Sequence, residues 1–221
     1  SGSGRVTIKS SNAGNKGVSG VLVFSSGTAS SGTTGSISIG SGTSTGGKAG
    51  SISVTVGSGN SGMGGTLSIS SGSAASSVGG VSITSGFGSS FSGAIYVKTA
   101  NAGHAGNGGV SGPLVFSSGT SSVGSAGLVS IGTGASTGGK GGFVSITVGS
   151  CKSGVGGLVT IAAGESTVVT GGSVNLVSGQ SVSSTSGALS IRTGNAGDNG
   201  VSGMLVFSSG SASSGSTGAL N

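Results

Sequence analysis

Charged residues are scarce in this chain, and acidic ones are almost absent. Only 5% of the 221 residues are charged, and Glu165 and Asp198 are the only carboxylates. Paired-carboxylate catalysis needs two such groups close together and differently tuned, and these two lie far apart in the sequence. The single histidine, His104, has no obvious partner to orient it for nucleophilic catalysis. We therefore expect no enzyme activity and no cofactor.

Metal ligands and disulfide partners are equally rare. One cysteine, Cys151, and one histidine cannot make a structural zinc site, and a single aspartate cannot supply the regular ligands of a calcium-binding β-roll. Cys151 also has no partner for an internal disulfide, so we expect it to fill a turn of the coil, with an intermolecular disulfide as the alternative. The sequence predicts no metal site.

Few residues favour a nucleic acid or a membrane as partner. The net charge is +6, but the basic residues are spread over the whole length and aromatic residues make up only 3%. Binding to single-stranded nucleic acid usually combines clustered basic residues with aromatic stacking. No run of about 20 apolar residues is long enough to span a bilayer. We expect neither partner.

Glycine is abundant, and 54 glycines in a serine-rich chain would suit a flexible linker. Against that alternative stand 32% hydrophobic residues and a mean hydropathy of +0.36. Disordered chains usually combine low hydrophobicity with high charge. We therefore expect an ordered chain.

Marker glycines recur along the chain, usually every 15 residues, and each precedes an alternating apolar run. A repeat this short cannot bury its own apolar face, so neighbouring repeats are expected to stack. The marker glycines are Gly4, Gly20, Gly35, Gly50, Gly65, Gly79, Gly93, Gly112, Gly127, Gly142, Gly157, Gly172, Gly187, Gly203 and Gly218.

Alternation with a period of two residues predicts a strand with one buried face in each repeat. The expected inward pairs are Val6/Ile8, Leu22/Phe24, Ile37/Ile39, Ile52/Val54, Leu67/Ile69, Val81/Ile83, Ile95/Val97, Leu114/Phe116, Val129/Ile131, Val144/Ile146, Val159/Ile161, Val174/Leu176, Leu189/Ile191 and Leu205/Phe207. Small polar residues between the runs would return the chain to the next strand. The predicted fold is all-β, a single-chain β-solenoid (β-helix) with about 15 residues per rung.

A longer period of six rungs overlies the first. Leu-Val-Phe-Ser-Ser-Gly occurs at 22–27, 114–119 and 205–210. We interpret residues 1–221 as one continuous repeat domain with super-repeats at about 4–92, 93–186 and 187–221, and we expect it to be a segment of a longer protein.

Two sets of residues follow this longer period. The rung before each copy carries a basic residue and, three residues later, Asn-Ala-Gly, and we interpret it as a periodic docking site. Its residues are Lys9, Asn12, Lys98, Asn101, Arg192 and Asn195. Outward apolar positions form the second set, the lateral stripe, which we interpret as a contact surface between molecules. The stripe consists of Val21, Val23, Pro113, Val115, Leu128, Phe143, Leu158, Met204 and Val206.

Three segments, 35–59 (GSISIGSGTSTGGKAGSISVTVGSG), 157–179 (GLVTIAAGESTVVTGGSVNLVSG) and 191–210 (IRTGNAGDNGVSGMLVFSSG), resemble the Gly/Ser-rich repeats of the sexually induced family of stramenopiles, which are mastigoneme proteins of flagellar hairs. The resemblance covers essentially the whole chain. It implies an extracellular, glycosylated, self-assembling filament shaft at a cell-surface appendage. The family's cysteine-rich, EGF-like parts are not present in this sequence.

The leading functional hypothesis is therefore a structural subunit of an extracellular filament, assembling by stacking and lateral contacts. Its expected partners are other copies of the chain and other filament glycoproteins, and exposed Ser and Thr could carry O-linked glycans. Two alternatives remain open. One is an ice-binding β-solenoid with outward Ser/Thr ladders, and the other is a bacterial-type surface adhesin.

Overall fold

The computed structural model describes residues 4–60, 63–75, 77–103 and 109–220. Within these ranges the chain forms neither a helix nor a β-strand, and its apolar runs are joined by loops. The predicted all-β fold, a single-chain β-solenoid with about 15 residues per rung, is therefore wrong. The 15-residue period of the sequence is instead expressed as a regular series of loops.

The backbone hydrogen bonds explain the difference. Outside two tight turns, those of the described residues connect glycines seven or eight positions apart, as in Gly79 N–H to Gly72 O (3.2 Å) and Gly172 N–H to Gly164 O (2.9 Å). The solenoid required bonds between equivalent residues of successive repeats, about 15 positions apart. Each repeat could bury only two large inward side chains. Ordering its many glycines and serines would cost a large amount of backbone conformational entropy. Burial within one chain does not offset that loss.

The accessible surface shows how little this chain buries. Its area is 21459 Å² for a mass of 19.8 kDa. A folded globular chain of this mass would expose about 8600 Å², and a fully unfolded one about 28,700 Å². No hydrophobic residue in the described part of the chain is buried. The described part of the chain therefore has local order without a hydrophobic core.

The fourteen inward pairs are consequently not the buried core that the alternating pattern predicts. Beyond the first pair, the leading residue of each pair is between 47% (Leu205) and 58% (Leu189) exposed. The second residues lie between 48% (Ile191) and 77% (Ile39). The expectation that Ile39 is buried is therefore wrong for the single chain. Side chains of this kind remain available for contacts with another molecule.

Order is concentrated at the bases of the loops. A Cβ built on Gly50 would lie 3.2 Å from the Cβ of Ser41, and one on Gly142 would lie 3.0 Å from the Cβ of Thr133. Most other marker glycines make the same approach to a residue eight to ten positions earlier. Glycine is favoured at positions 50 and 142 because a side chain would crowd the closing residue. The closed loops are thus the repeating local structure of the chain.

Seven described residues are half-buried, and all of them are small or polar residues of the loops. They are Ser10, Ser85, Gly88, Ser166, Ser178, Ser181 and Thr193. Hydroxyl groups close some of these loops, since Ser166 Oγ accepts the Val169 N–H at 3.1 Å and Ser181 Oγ accepts the Ser184 N–H at 2.9 Å. The ordered positions are therefore held by serine and glycine rather than by apolar packing.

Identical loop geometry recurs with the longer period of the sequence. Ser41 Oγ donates to the carbonyl oxygen of Gly50 (2.9 Å), and Thr133 Oγ1, 92 positions later, donates to that of Gly142 (3.3 Å). Inside the same two loops, Ser44 and Ser136 each accept an N–H from a glycine at 3.0 Å. Equivalent sequences thus form equivalent loops in successive six-repeat blocks.

The chain divides into two structural units, Ser1–Leu114 and Val115–Asn221. The division falls inside the second Leu-Val-Phe-Ser-Ser-Gly segment. The super-repeat boundaries at about 92 and 186 stay predictions. The described residues contain no helix that is long and apolar enough to span a membrane.

Candidate functional site

The lateral stripe is exposed at every position. Its fractional exposures run from 62% at Val206 to 87% at Val21, and Pro113 is also exposed. Three stripe residues belong to the unit Ser1–Leu114 and six to the unit Val115–Asn221. The side chains predicted to be outward are therefore accessible, whereas their role in lateral contact stays a prediction.

An apolar groove in the second unit was not anticipated from the sequence. Phe116 lines it together with Val129, Ser130 and Ile131 of the next apolar run, and its volume is about 370 Å³. Phe116 is 66% and Ile131 is 76% exposed, so the groove is open to another molecule. The alternating pattern identified these residues but predicted that a solenoid would bury them. A groove of this composition can accept an apolar side chain.

The six predicted docking residues lie in three basic loops, which we define as residues 9–20, 98–103 and 192–203. In the first loop, the Gly17 N–H donates to the Gly14 carbonyl oxygen at 3.1 Å and closes a tight turn. In the third, the Gly200 N–H donates to the Gly197 carbonyl oxygen at the same distance. These two loops therefore share one turn geometry although 183 residues separate them.

The base of each of these two loops is also closed in the same way. A Cβ on Gly20 would lie 3.4 Å from the Cβ of Ser10, and one on Gly203 would lie 3.6 Å from Thr193 Cγ2. Ser10 and Thr193 directly follow the basic residues Lys9 and Arg192, and both are half-buried. Neither position was predicted from the sequence, although the place of both residues beside the recurring basic residue was a usable signal.

A polar pocket of about 170 Å³ lies in the third basic loop. Arg192, Thr193, Gly194 and Asn195 line it. Two of these, Arg192 and Asn195, are predicted docking residues, and the structure brings them together. The pocket combines a fixed positive charge with a hydroxyl and a carboxamide, which can both donate and accept hydrogen bonds.

The middle basic loop is described as far as Gly103. Lys98 and Asn101 are exposed, and Gly103 has a φ of 86°, a conformation that suits glycine. Residues 104–108 lie outside the described residues, and so does the prediction made for His104. The docking residues of this loop are therefore placed on an accessible surface.

The chain has little else to build a chemical site from. In the ranges that the structure describes, no group of three or more His, Cys, Asp or Glu residues could hold a metal ion. Cys151 is an exposed free thiol. It lies at the start of a loop in which a Cβ on Gly154 would approach its Sγ to 3.1 Å. Among the described residues, the lateral stripe, the apolar groove and the basic loops are thus accessible features with a defined composition.

The electrostatic setting of the basic loops follows from composition. The sequence contains eight Lys and Arg residues but only two Asp and Glu residues, so most cations have no acidic partner within the chain. Asp198 lies in the turn of the third basic loop, where the first loop carries Asn15 and Lys16. The first loop is therefore the more positive of the two that share this turn.

No protein-family model, curated protein or solved structure matches this chain.

Proposed function

We propose that this chain is a structural subunit of an extracellular, mastigoneme-like filament and that it assembles through contacts between copies of itself. The observation that carries the proposal is the absence of any buried hydrophobic residue in the described chain, although 32% of the sequence is hydrophobic. Exposed apolar surface of this extent favours association, because its removal from water stabilises the associated state.

The available area is large enough for several contacts on each molecule. The chain exposes 21459 Å², which exceeds the value for a folded chain of its mass by about 12,800 Å². A stable pair of proteins buries about 1600 Å² in total. A subunit that contacts neighbours along its whole length would use such a surface, whereas one small ligand would cover little of it.

A second copy of the chain is the partner that best matches the arrangement of this surface. Loops with the same hydrogen bonds recur 92 positions apart, at Ser41 and Thr133, and the apolar runs between loops recur with them. A partner that fills equivalent sites at this interval needs the same period, and another copy has it. The low charge of the chain also limits repulsion between copies, since only 5% of its residues are charged.

The lateral stripe supplies contacts beside the runs in this proposal. Its valines are exposed in both structural units, so substitution should change association rather than local order. Other filament glycoproteins would be further partners, and the exposed serines and threonines would accept O-linked glycans. The proposed location is extracellular, at a cell-surface appendage.

The proposal is tested by raising the protein concentration and measuring assembly. Sedimentation and negative-stain imaging should show elongated polymers above a threshold concentration. The double variant Val23→Lys/Val206→Lys should raise that threshold. The control Val18→Lys/Val201→Lys adds the same charge at loop valines outside the stripe and should change it less. Dispersed monomers at every concentration would refute the filament function, and equal effects of the two variants would remove the stripe from the assembly contacts.

A further inference from the structure

We propose that the basic loops bind the carboxylate or sulfate groups of a linear anionic polysaccharide. This inference goes beyond self-assembly, and it concerns a different surface from the apolar runs. It begins with the pocket of about 170 Å³ in the third loop, lined by Arg192, Thr193, Gly194 and Asn195. A guanidinium group forms paired, charge-assisted hydrogen bonds with planar or tetrahedral oxyanions.

The uncharged lining residues favour a carbohydrate. The Thr193 hydroxyl and the Asn195 carboxamide each provide donors and acceptors, and sugar hydroxyl groups need both. Thr193 is half-buried beside the arginine, and its Cγ2 would lie 3.6 Å from a Cβ built on Gly203, which places it at the base of the loop. A binding site for an isolated charge would not need these groups.

Recurrence of the loop favours a polymer over a single small anion. A basic residue followed after three positions by Asn-Ala-Gly occurs at Lys9, Lys98 and Arg192. The first and third loops share the same closing turn, at 3.1 Å in each, and the same contact at the loop base. Several weak sites on one chain can bind one polymer together, and their joint affinity exceeds that of any one site.

Nucleic acid is a poorer match to these loops than a polysaccharide. Aromatic residues make up 3% of the chain, and none occurs in the three basic loops. Base stacking on aromatic side chains is the usual source of affinity for single strands. The loops instead present one cation with neighbouring amides and hydroxyls, which fits the regular acid groups of a charged glycan.

Binding should be measured on the whole chain at a concentration below its assembly threshold, so that failure of self-assembly cannot affect the result. Fluorescence anisotropy with a label on the exposed thiol of Cys151 is suitable. The probes are polygalacturonate and dextran sulfate, with uncharged dextran as the negative control. We expect binding to both acidic polymers, weakening as salt is raised, and no binding to dextran.

Two triple variants distinguish binding at the basic loops from general attraction of an anionic polymer to a positively charged protein. Lys9→Gln, Lys98→Gln and Arg192→Gln together should weaken polymer binding by about tenfold or more, because each exposed charged contact changes affinity by about two- to fivefold. The control triple, Lys48→Gln, Lys140→Gln and Lys152→Gln, removes the same three charges elsewhere and should weaken it much less. Equal loss in the two triples would overturn the proposal, since net charge alone would then explain binding.

A further set of measurements tests the pocket and the class of ligand. Asn12→Ala, Asn101→Ala and Asn195→Ala together leave the charge unchanged and should still weaken binding, whereas unchanged affinity would overturn the assignment of a carbohydrate to these loops. Asp198→Asn should strengthen binding, because it removes from the third loop a negative charge that repels the anionic polymer. Tighter binding of poly-glutamate or of single-stranded DNA than of either acidic polysaccharide would also overturn the assignment.

Discussion

Replacing one valine of the apolar groove should weaken assembly, whereas replacing an equally apolar valine in a loop should not. Val129 lines the groove with Phe116 and Ile131 and is 49% exposed, whereas Val182 lies in a loop and is 99% exposed. The two substitutions, Val129→Ser and Val182→Ser, change the chemistry of the side chain in the same way. They differ in where the side chain lies.

The expected magnitude follows from burial at the proposed contact. Full burial of a valine contributes about 1.5 kcal/mol or more, and roughly half of Val129 is still exposed in the single chain, so association recovers about 1 kcal/mol. A serine hydroxyl left without a partner there costs about 1–3 kcal/mol. A combined change of about 2 kcal/mol corresponds to about a thirtyfold higher concentration for assembly. The Val182 variant should assemble at an almost unchanged concentration.

The assay is the protein concentration at which polymers first sediment, with static light scattering as a second measurement. Far-UV circular dichroism of dilute samples should be the same for both variants and the original chain, because neither valine is buried in the single molecule. Nonspecific adhesion of apolar surface gives the opposite order, since Val182 is the more exposed residue. A larger effect of Val182→Ser would therefore refute the groove as an assembly contact.

Three further predictions concern the single chain. Gly157→Ala should displace Val148, because the new Cβ would overlap Val148 Cγ1. Gly149→Ala is the control, since a Cβ there would have no heavy atom within 4 Å. We expect the nuclear Overhauser contact between residues 148 and 157 to be lost in the Gly157 variant only. Thr133→Val should open the loop closed by the 3.3 Å hydrogen bond to the Gly142 carbonyl oxygen, at a cost of about 0.5–1.5 kcal/mol, measured as faster amide exchange in that loop. The dilute chain should give a circular dichroism spectrum without the signal of a β-sheet, and a sheet spectrum below the assembly threshold would contradict the structure described here.

The positions of the loops could be predicted from the sequence because they depend on local chemistry. Serine hydroxyls and glycines close loops whose ends lie nine positions apart, as Ser41 and Gly50 do. Such contacts depend on residues that are near one another in the chain, and their spacing is visible in the sequence. The recurrence of the same loop at Thr133 follows for the same reason.

The fold could not be predicted in the same way, because period-two alternation specifies which side chains share a face and not what covers that face. Leu114 and Phe116 alternate as the residues of a half-buried strand would, yet in this chain they are 50% and 66% exposed. A strand also needs a neighbouring strand for its backbone hydrogen bonds. The alternation therefore predicted which side chains share a face, but not which surface packs against it.

The candidate sites, too, could be predicted from the sequence only in part. The six predicted docking residues, including Arg192 and Asn195, were identified from their spacing, and the structure places those two in one pocket. The half-buried Thr193 between them was missed, because its contact with Gly203 joins residues ten positions apart. The groove at Phe116 and Ile131 was also missed, because the predicted solenoid would have filled it.

The sequence by itself determined the 15-residue interval, the six-repeat blocks and the scarcity of chemically reactive groups, because these follow from residue types and their spacing. Tertiary structure decided whether the apolar runs find partners within the chain, and in the described residues they do not. The physical reason is that two large side chains per repeat bury too little apolar area to order fifteen glycine- and serine-rich residues.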